Sequence, residues 1–257
     1  MTPTIRRPGV IEDLAPVGLD ELLATAELQT RVDRKYALTT GDLTMLLDLL
    51  PPEVRVLDIG GAREFGYASV YFDTPDRESF RAAAHRRRRR FKVRTRTYLA
   101  SGADYLEVKT RDRGATVKDR LAGRHTEHGR LSPTGSGFVC RILAAGGIDP
   151  TPVAGLRPAL TTTYRRTTLL LPGDGARVTL DTALAWSTPD GGSLTRPGLA
   201  IVETKSPGRA SELDHVLWSL GFRPDRISKF GTGLAAMHPE LPHNTWARTL
   251  RTHFAQG

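Results

Sequence analysis

The chain has 257 residues, 39% of them hydrophobic and 25% charged, and 37 Lys and Arg against 28 Asp and Glu leave a formal net charge of +9. That length carries a sizeable core, no apolar run reaches the roughly 18 residues needed to span a bilayer, and residues 1–13 lack the apolar stretch of a signal peptide. One cysteine, Cys140, rules out an internal disulfide and a cysteine-based zinc site and points to the cytoplasm, while the excess of cations points to a polyanionic partner such as nucleic acid, an anionic membrane or polyphosphate.

In chain order, the first 30 residues read as a tail with a short helix on Leu19, Leu22, Leu23 and Leu28. Residues 31–38 alternate as a strand. Thr40 then caps a helix with Leu43, Leu46, Leu47 and Leu50 on one face, which Pro51 stops. A strand over 67–73 leads to a short helix that starts at Thr74-Pro75 and ends near Ala84. Runs at 87–99, 105–111 and 115–121 read as a meander joined by turns at Ser101-Gly102 and Gly114. Residues 122–137 read as a loop and 138–145 as a short helix. Strands follow at 159–171, 177–185 and 199–205, with a hairpin turn at Gly173-Asp174-Gly175. Ser211 caps a helix with Leu213, Val216, Leu217 and Leu220 inward and Gly221 as its stop. A last helix is expected on Trp246, Leu250 and Phe254. With no internal repeat and no linker, the expected division is a tail at 1–27, one domain at 28–238 and a helical tail at 239–257. The class is α+β, dominated by strands.

Residues two apart in a strand share a face. Lys92, Arg94 and Arg96 therefore form a basic stripe, opposite Phe91, Val93, Thr95 and Thr97. Glu107, Lys109 and Arg111 share a face, as do Lys118 and Arg120, then Arg177, Thr179 and Asp181, then Ile201, Glu203 and Lys205. Such stripes are either ordinary solvated sheet faces or the lining of a closed barrel. Stacked like charges repel across a ladder, so a sheet that carries them needs an anion. The run from Arg86 to Arg90 is a solvated segment or a nonspecific nucleic-acid patch. No aromatic interleaving, helix-turn-helix or zinc-finger spacing supports specific nucleic-acid recognition. His125 and His128 read as solvated loop residues, and Tyr36, Tyr71 and Tyr98 as packing residues.

The ordered motifs Arg31-x-Asp33-x-Lys35-Tyr36, Tyr71-Phe-Asp-Thr74, Lys92-Val-Arg-Thr-Arg-Thr-Tyr98, Leu106-Glu-Val-Lys109, Val117-Lys-Asp-Arg120, Tyr164-Arg-Arg166, Arg177-Val-Thr-Leu-Asp-Thr182, Val202-Glu-Thr-Lys205 and Ile227-Ser-Lys-Phe230 resemble the VTC domain. That is the polyphosphate polymerase domain of the vacuolar transporter chaperone complex and its bacterial relatives, within the triphosphate tunnel metalloenzyme (CYTH-like) group. The resemblance spans roughly residues 28–238. It implies a closed antiparallel β-barrel of about eight strands with flanking helices, a basic tunnel and a carboxylate holding Mn²⁺ or Mg²⁺. Carried over by position, it implies phosphate-binding roles for Lys35, Arg94, Arg96, Lys109, Lys118, Arg166, Arg177 and Lys229. Glu203 is implied as the metal ligand, and Glu203, Lys229 and Arg226 as catalytic residues. Arg226 stands where the pattern has a second lysine, and Asp33 where it has a glutamate. From the residues alone, Glu203 is equally a partner for Lys205 or a cross-strand arginine.

The implied activity is metal-dependent phosphoryl transfer on ATP, triphosphate or polyphosphate, with polyphosphate synthesis from ATP as the leading expectation. A tripolyphosphatase or nucleoside triphosphatase of the same fold, and a non-catalytic polyphosphate- or RNA-binding module, are the alternatives. Such transfer asks for in-line positioning and charge neutralisation, which Arg forks and Lys point charges supply.

Overall fold

The computed structural model describes residues 10–25, 32–112 and 115–254. Its elements are α1 (Val10–Asp13), β1 (Ala15–Val17), α2 (Leu19–Thr25), β2 (Val32–Thr39), α3 (Thr40–Asp48), β3 (Arg55–Leu57), β4 (Phe65–Asp73), α4 (Glu78–Ala84), β5 (Arg90–Tyr98), β6 (Ala103–Asp112) and β7 (Ala115–Ala122). They continue with β8 (Thr126–Glu127), β9 (Arg130–Leu131), α5 (Pro133–Ala145), β10 (Arg157–Leu171), β11 (Ala176–Ser187), β12 (Ser193–Arg196), β13 (Leu199–Ser206), α6 (Glu212–Ser219), α7 (Lys229–Met237) and α8 (Ala247–His253). The chain divides into two compact units, one of residues 1–65, 165–184 and 196–226, the other of residues 66–164, 185–195 and 227–257.

In the first unit β13 pairs antiparallel with β2 and with β11, setting Glu203 opposite both Lys35 and Thr179. The alternation of these strands sends Tyr36, Leu38, Val178, Leu180, Ala200 and Val202 to one face. There they meet Leu43 and Leu46 of α3 and Leu213 and Leu217 of α6 in a dry core. Asp214 fastens α6 to that core. Its carboxylate accepts from Tyr36 Oη at 2.6 Å, from Thr204 Oγ1 at 2.7 Å and from the Ser211 backbone N–H and Oγ. Burial and the Asp214 carboxylate both push the Tyr36 phenol well up. Tyr36 is thus a packing residue, as expected. β1 and β3 pair in parallel and add a smaller cluster of Val17, Leu22, Leu57 and Leu170.

In the second unit β4, β5, β6 and β7 follow one another as an antiparallel ladder. Phe72, Phe91, Val93, Leu106 and Val108 share one face, and α5 covers it with Phe138, Val139 and Leu143. The opposite face carries the basic stripe. α4 is held at its start by Asp73, which accepts from the backbone N–H of Ser79 at 2.8 Å and of Phe80 at 2.9 Å.

The strand-dominated, antiparallel architecture with flanking helices is as expected, but the closed barrel is not: among the described residues no sheet closes on itself. In the first unit the run ends at β2, where Val32 and Asp33 are exposed, and in the second at β7, where Val117, Lys118 and Arg120 are exposed. Closure needs a staggered register carried through every strand, and charged edge strands resist a further partner. α5 starts at Pro133, not 138, because Ser132 caps it and Pro133 suits its first turn. α4 starts at Glu78, later than Thr74-Pro75, because residues 74–77 close a turn instead. α7 was not expected from its two glycines. Leu28, Arg31 and Gly114 lie outside the described residues. No described helix is long and apolar enough to cross a membrane.

Candidate functional site

The sheet of the second unit places three cationic side chains around one carboxylate. β5 presents Arg94 opposite Glu107 of β6, and β7 brings Lys118 opposite Lys109. Arg94 donates to Glu107 Oε2 from Nε at 2.7 Å and pairs through Nη2 at 2.6 Å. Lys118 Nζ donates to Oε1 at 2.5 Å, and Arg96 Nη1 lies 3.8 Å from the same oxygen. Glu107 is almost fully buried. Burial alone would raise its carboxyl, but Arg94, Arg96 and Lys118 together hold it down at about 2. Lys118 shows the reverse balance: desolvation, with Arg94 and Arg96 adding to it, outweighs Glu107 and draws its ammonium down to about 8 although two-fifths of the side chain is exposed. Three cations against one carboxylate leave about two positive charges unanswered, and nearby Arg96 Nε and Ser69 Oγ are buried without a hydrogen-bond partner among the described residues.

Aromatic rings shape the rest of this face. Tyr71 Oη accepts from Arg94 Nη1 at 2.9 Å, and its ring stacks on Phe230 at 5.0 Å. Burial would raise the Tyr71 phenol, but Arg94, Arg96 and Lys229 lower it overall. Lys92 Nζ donates to Ser228 Oγ at 3.0 Å and lies over the Tyr71 and Phe230 rings. Lys229 Nζ sits 4.4 Å from the centre of the Tyr164 ring, which stacks on Tyr67. Ser228 caps α7, and the Lys229 carbonyl accepts from Trp186 Nε1 at 2.8 Å, so the start of that helix is pinned from two sides.

The first unit carries a second charged face, opposite its apolar core. Glu203 Oε1 pairs with Lys205 Nζ at 2.7 Å and with Lys35 Nζ at 3.2 Å. Burial opposes ionisation of Glu203, but Lys35 and Lys205, with Arg166, hold it well below the usual carboxylate range. Desolvation draws Lys205 down to about 8 against the pull of Glu203 and Asp33. Arg166 grips Asp181 through Nε at 2.6 Å and Nη2 at 2.8 Å. Arg177 lies half-buried, opposite Lys205 in the ladder.

Of the residues singled out from sequence, Arg94, Arg96 and Lys118 come together in one cluster, and Lys35 and Glu203 in the other. Lys109 is exposed beside Lys118, and Arg226 is exposed. Glu107, Tyr71, Lys92, Lys205 and Ser228 were not assigned to a site. Glu107 was within reach, as the sole acid in the stripe it shares with Lys109 and Arg111. Tyr71 and Ser228 depend on contacts that no local pattern encodes.

Fold and site define a strand-rich protein with two cation-lined sheet faces, one holding Glu107 and the other Glu203, and the neighbouring lysines and arginines hold both carboxylates ionised. Comparison with known protein families matches residues 30–238 to the VTC domain, so the chain belongs to the VTC domain family. Comparison with curated proteins found no match. Among solved structures, a candidate adenylate cyclase from Bacillus halodurans is 13% identical at a TM-score of 0.48, over 77% of this chain and 94% of that one. A second candidate adenylate cyclase, from Vibrio parahaemolyticus, is 12% identical at 0.38, over 83% and 88%. A Pyrococcus horikoshii protein is 11% identical at 0.37, over 75% and 88%.

Proposed function

We propose that the protein is a triphosphate- and polyphosphate-binding phosphotransferase that lengthens a polyphosphate chain from ATP. Family membership supports the substrate class. The observation that carries the reading is the uncompensated charge around Glu107, where Arg94, Arg96 and Lys118 outnumber the one carboxylate. Phosphate oxygens supply the missing anion, and arginine forks match their geometry.

In the transfer, a terminal phosphate oxygen of the acceptor chain forms a bond to the γ-phosphorus of ATP. The bond from that phosphorus to the bridging oxygen breaks, and its electron pair leaves on the β-phosphate of ADP. The acceptor oxygen is already ionised, so no base is required. Hydrolysis would instead need a base to take a proton from water. Glu107, at about 2, and Glu203, well below the usual range, are poor bases at neutral pH, and phosphates bound beside the lysines keep those ammoniums charged.

The described residues hold no group of three His, Cys, Asp or Glu side chains suited to a metal. Glu203 is already engaged by two ammoniums, so it would hold a divalent ion only together with other oxygen ligands. Glu203 would be its protein ligand, and Mn²⁺ or Mg²⁺ would there neutralise charge developing on the transferred group. Lys35 and Lys205 hold that carboxylate ionised and in place.

Purified protein incubated with ATP and Mn²⁺ is expected to yield long-chain phosphate on a gel, together with ADP. Release of orthophosphate alone would sink the polymerase reading in favour of the triphosphatase. Glu203→Ala is expected to abolish turnover and flatten the metal titration, and normal activity in that variant would remove Glu203 from the mechanism.

A further inference from the structure

We infer that the second unit has another phosphate-chain site, a basic cleft beside the arginine run, that holds inorganic polyphosphate away from the Glu107 cluster. The cleft has a volume of about 1200 Å³ and lies between the first turn of α4, residues 85–89 and the segment 149–155. That exceeds the roughly 300–1,000 Å³ of an ordinary small-ligand pocket, so it suits a length of chain better than a single nucleotide. None of its lining residues belongs to the Glu107 cluster.

Its charge comes from Arg81, Arg87, Arg88 and Arg89. The local backbone explains how consecutive arginines reach one cleft. α4 ends with the Arg87 N–H donating to the Ala82 carbonyl and the Arg86 N–H to that of Ala83, and Arg86 itself sits at φ +55°. Glycine is favoured at such a helix stop, so an arginine there is held against its preference. Past the left-handed turn Arg86 to Arg89 are exposed, while Arg90 enters β5 opposite Arg111. Burial, with Arg111 and Arg86 beside it, lowers the Arg90 guanidinium, so repulsion is built in and an anion would relieve it.

The acids in the cleft leave Arg87 and Arg88 unanswered among the described residues. Asp149 is occupied by the Thr151 N–H and hydroxyl. Asp76 and Glu78 are exposed, and among the described residues neither Arg87 nor Arg88 has an ion pair. No Phe, Tyr or Trp lines the cleft, and His85 is the one aromatic ring there, so it offers bases a poor stacking platform. A polyanion made of phosphate alone therefore fits better than RNA. This inference rests on the polyphosphate reading above.

The test uses the full chain and the double variant R87E/R88E, with R87Q/R88Q as a milder second change at exposed positions. Binding of labelled long-chain polyphosphate is followed by anisotropy from 50 to 300 mM salt. Loss of two phosphate contacts predicts at least a tenfold weaker affinity in R87E/R88E and a log K against log salt slope shallower by about 1.4, taking roughly 0.7 per contact as for a single strand. R87Q/R88Q should show an intermediate loss. Tripolyphosphate should raise the melting temperature equally in wild type and both variants, because it is short enough for the Glu107 cluster alone. Unchanged long-chain affinity in both variants would overturn the cleft site. So would duplex RNA displacing polyphosphate from wild type but not from the variants, which would mark a nucleic-acid surface. Failure of wild type to bind tripolyphosphate would instead count against the proposed function, and a long-chain affinity still lost in the variants would leave the cleft standing.

Discussion

At the scale of single residues, Lys118 and Glu107 make the charged face of the second unit sensitive to pH. The Lys118 ammonium is drawn down to about 8 in the free protein. A bound triphosphate favours its charged form, so binding takes up protons from about pH 8 to the ordinary lysine range near 10.4. Affinity is therefore expected to fall as pH rises through that window. Calorimetry at pH 8.5 in two buffers with different protonation heats should show proton uptake, and Lys118→Met should remove much of it. Identical heats for the wild type in both buffers would place Lys118 outside the binding step. Glu107 works in the opposite sense on stability. Its folded value of about 2 is depressed below the unfolded value near 4.3, so its contribution is present above that range and is lost as pH falls toward 2. The contribution is on the order of 2–3 kcal/mol. Glu107→Gln should melt lower at neutral pH and show a flatter decline between pH 4.5 and 2. A double change of Arg94→Ala and Arg96→Ala leaves the buried Glu107 with Lys118 alone. The unliganded protein should lose roughly 3 kcal/mol or more. With charge-assisted hydrogen bonds worth about 1.5–3 kcal/mol each, tripolyphosphate should bind tens-fold more weakly. An equal ligand-induced rise in melting temperature in wild type and variant would show that this face does not bind phosphate.

Among the elements, α7 was the least expected, and its glycines explain why. Glycine disfavours helix by roughly 0.5–1 kcal/mol relative to alanine, so Lys229–Met237 reads as loop in isolation. In the fold, a Cβ on Gly231 would overlap the Trp246 ring and one on Gly233 the Trp186 ring. The glycines buy close approach of two tryptophans, and those rings in turn hold the helix whose start places Ser228 and Lys229. Helix propensity predicts that Gly233→Ala stabilises the protein, whereas packing predicts a loss of about 1–3 kcal/mol. The expected outcome is a melting temperature lower by several degrees, and a rise would show that the Trp186 contact is absent. By contrast, α3 and α6 were legible because each combines a local cap with an apolar face. Ser211 forms the capping box expected of it, with Asp214 three residues on, whereas the cap of α3 is Thr39 and not Thr40, because Asp42 three residues after Thr39 completes the box. β1, β3 and β12 were missed because three or four residues are too few to show a period.

For the whole molecule, the net charge of +9 makes binding of any long polyanion depend on salt. Long-chain polyphosphate affinity should fall linearly on a log–log plot against salt, and a flat plot would mean that ordered contacts rather than charge dominate. Sequence by itself determined the strand-rich class, the parity that divides Lys92, Arg94 and Arg96 from Phe91, Val93 and the core, and membership of the VTC domain family. Each of these is written in local alternation or in the order of short motifs. Tertiary structure alone decided which anion meets which cation. Glu107 joins Arg94 and Arg96 from one neighbouring strand and Lys118 from the other, and Glu203 joins Lys35 and Lys205, because strand register sets those encounters and alternation is blind to register. It also decided that among the described residues the strands end at charged edges without closing on themselves, since closure is a property of pairing between distant segments and leaves no period in the chain.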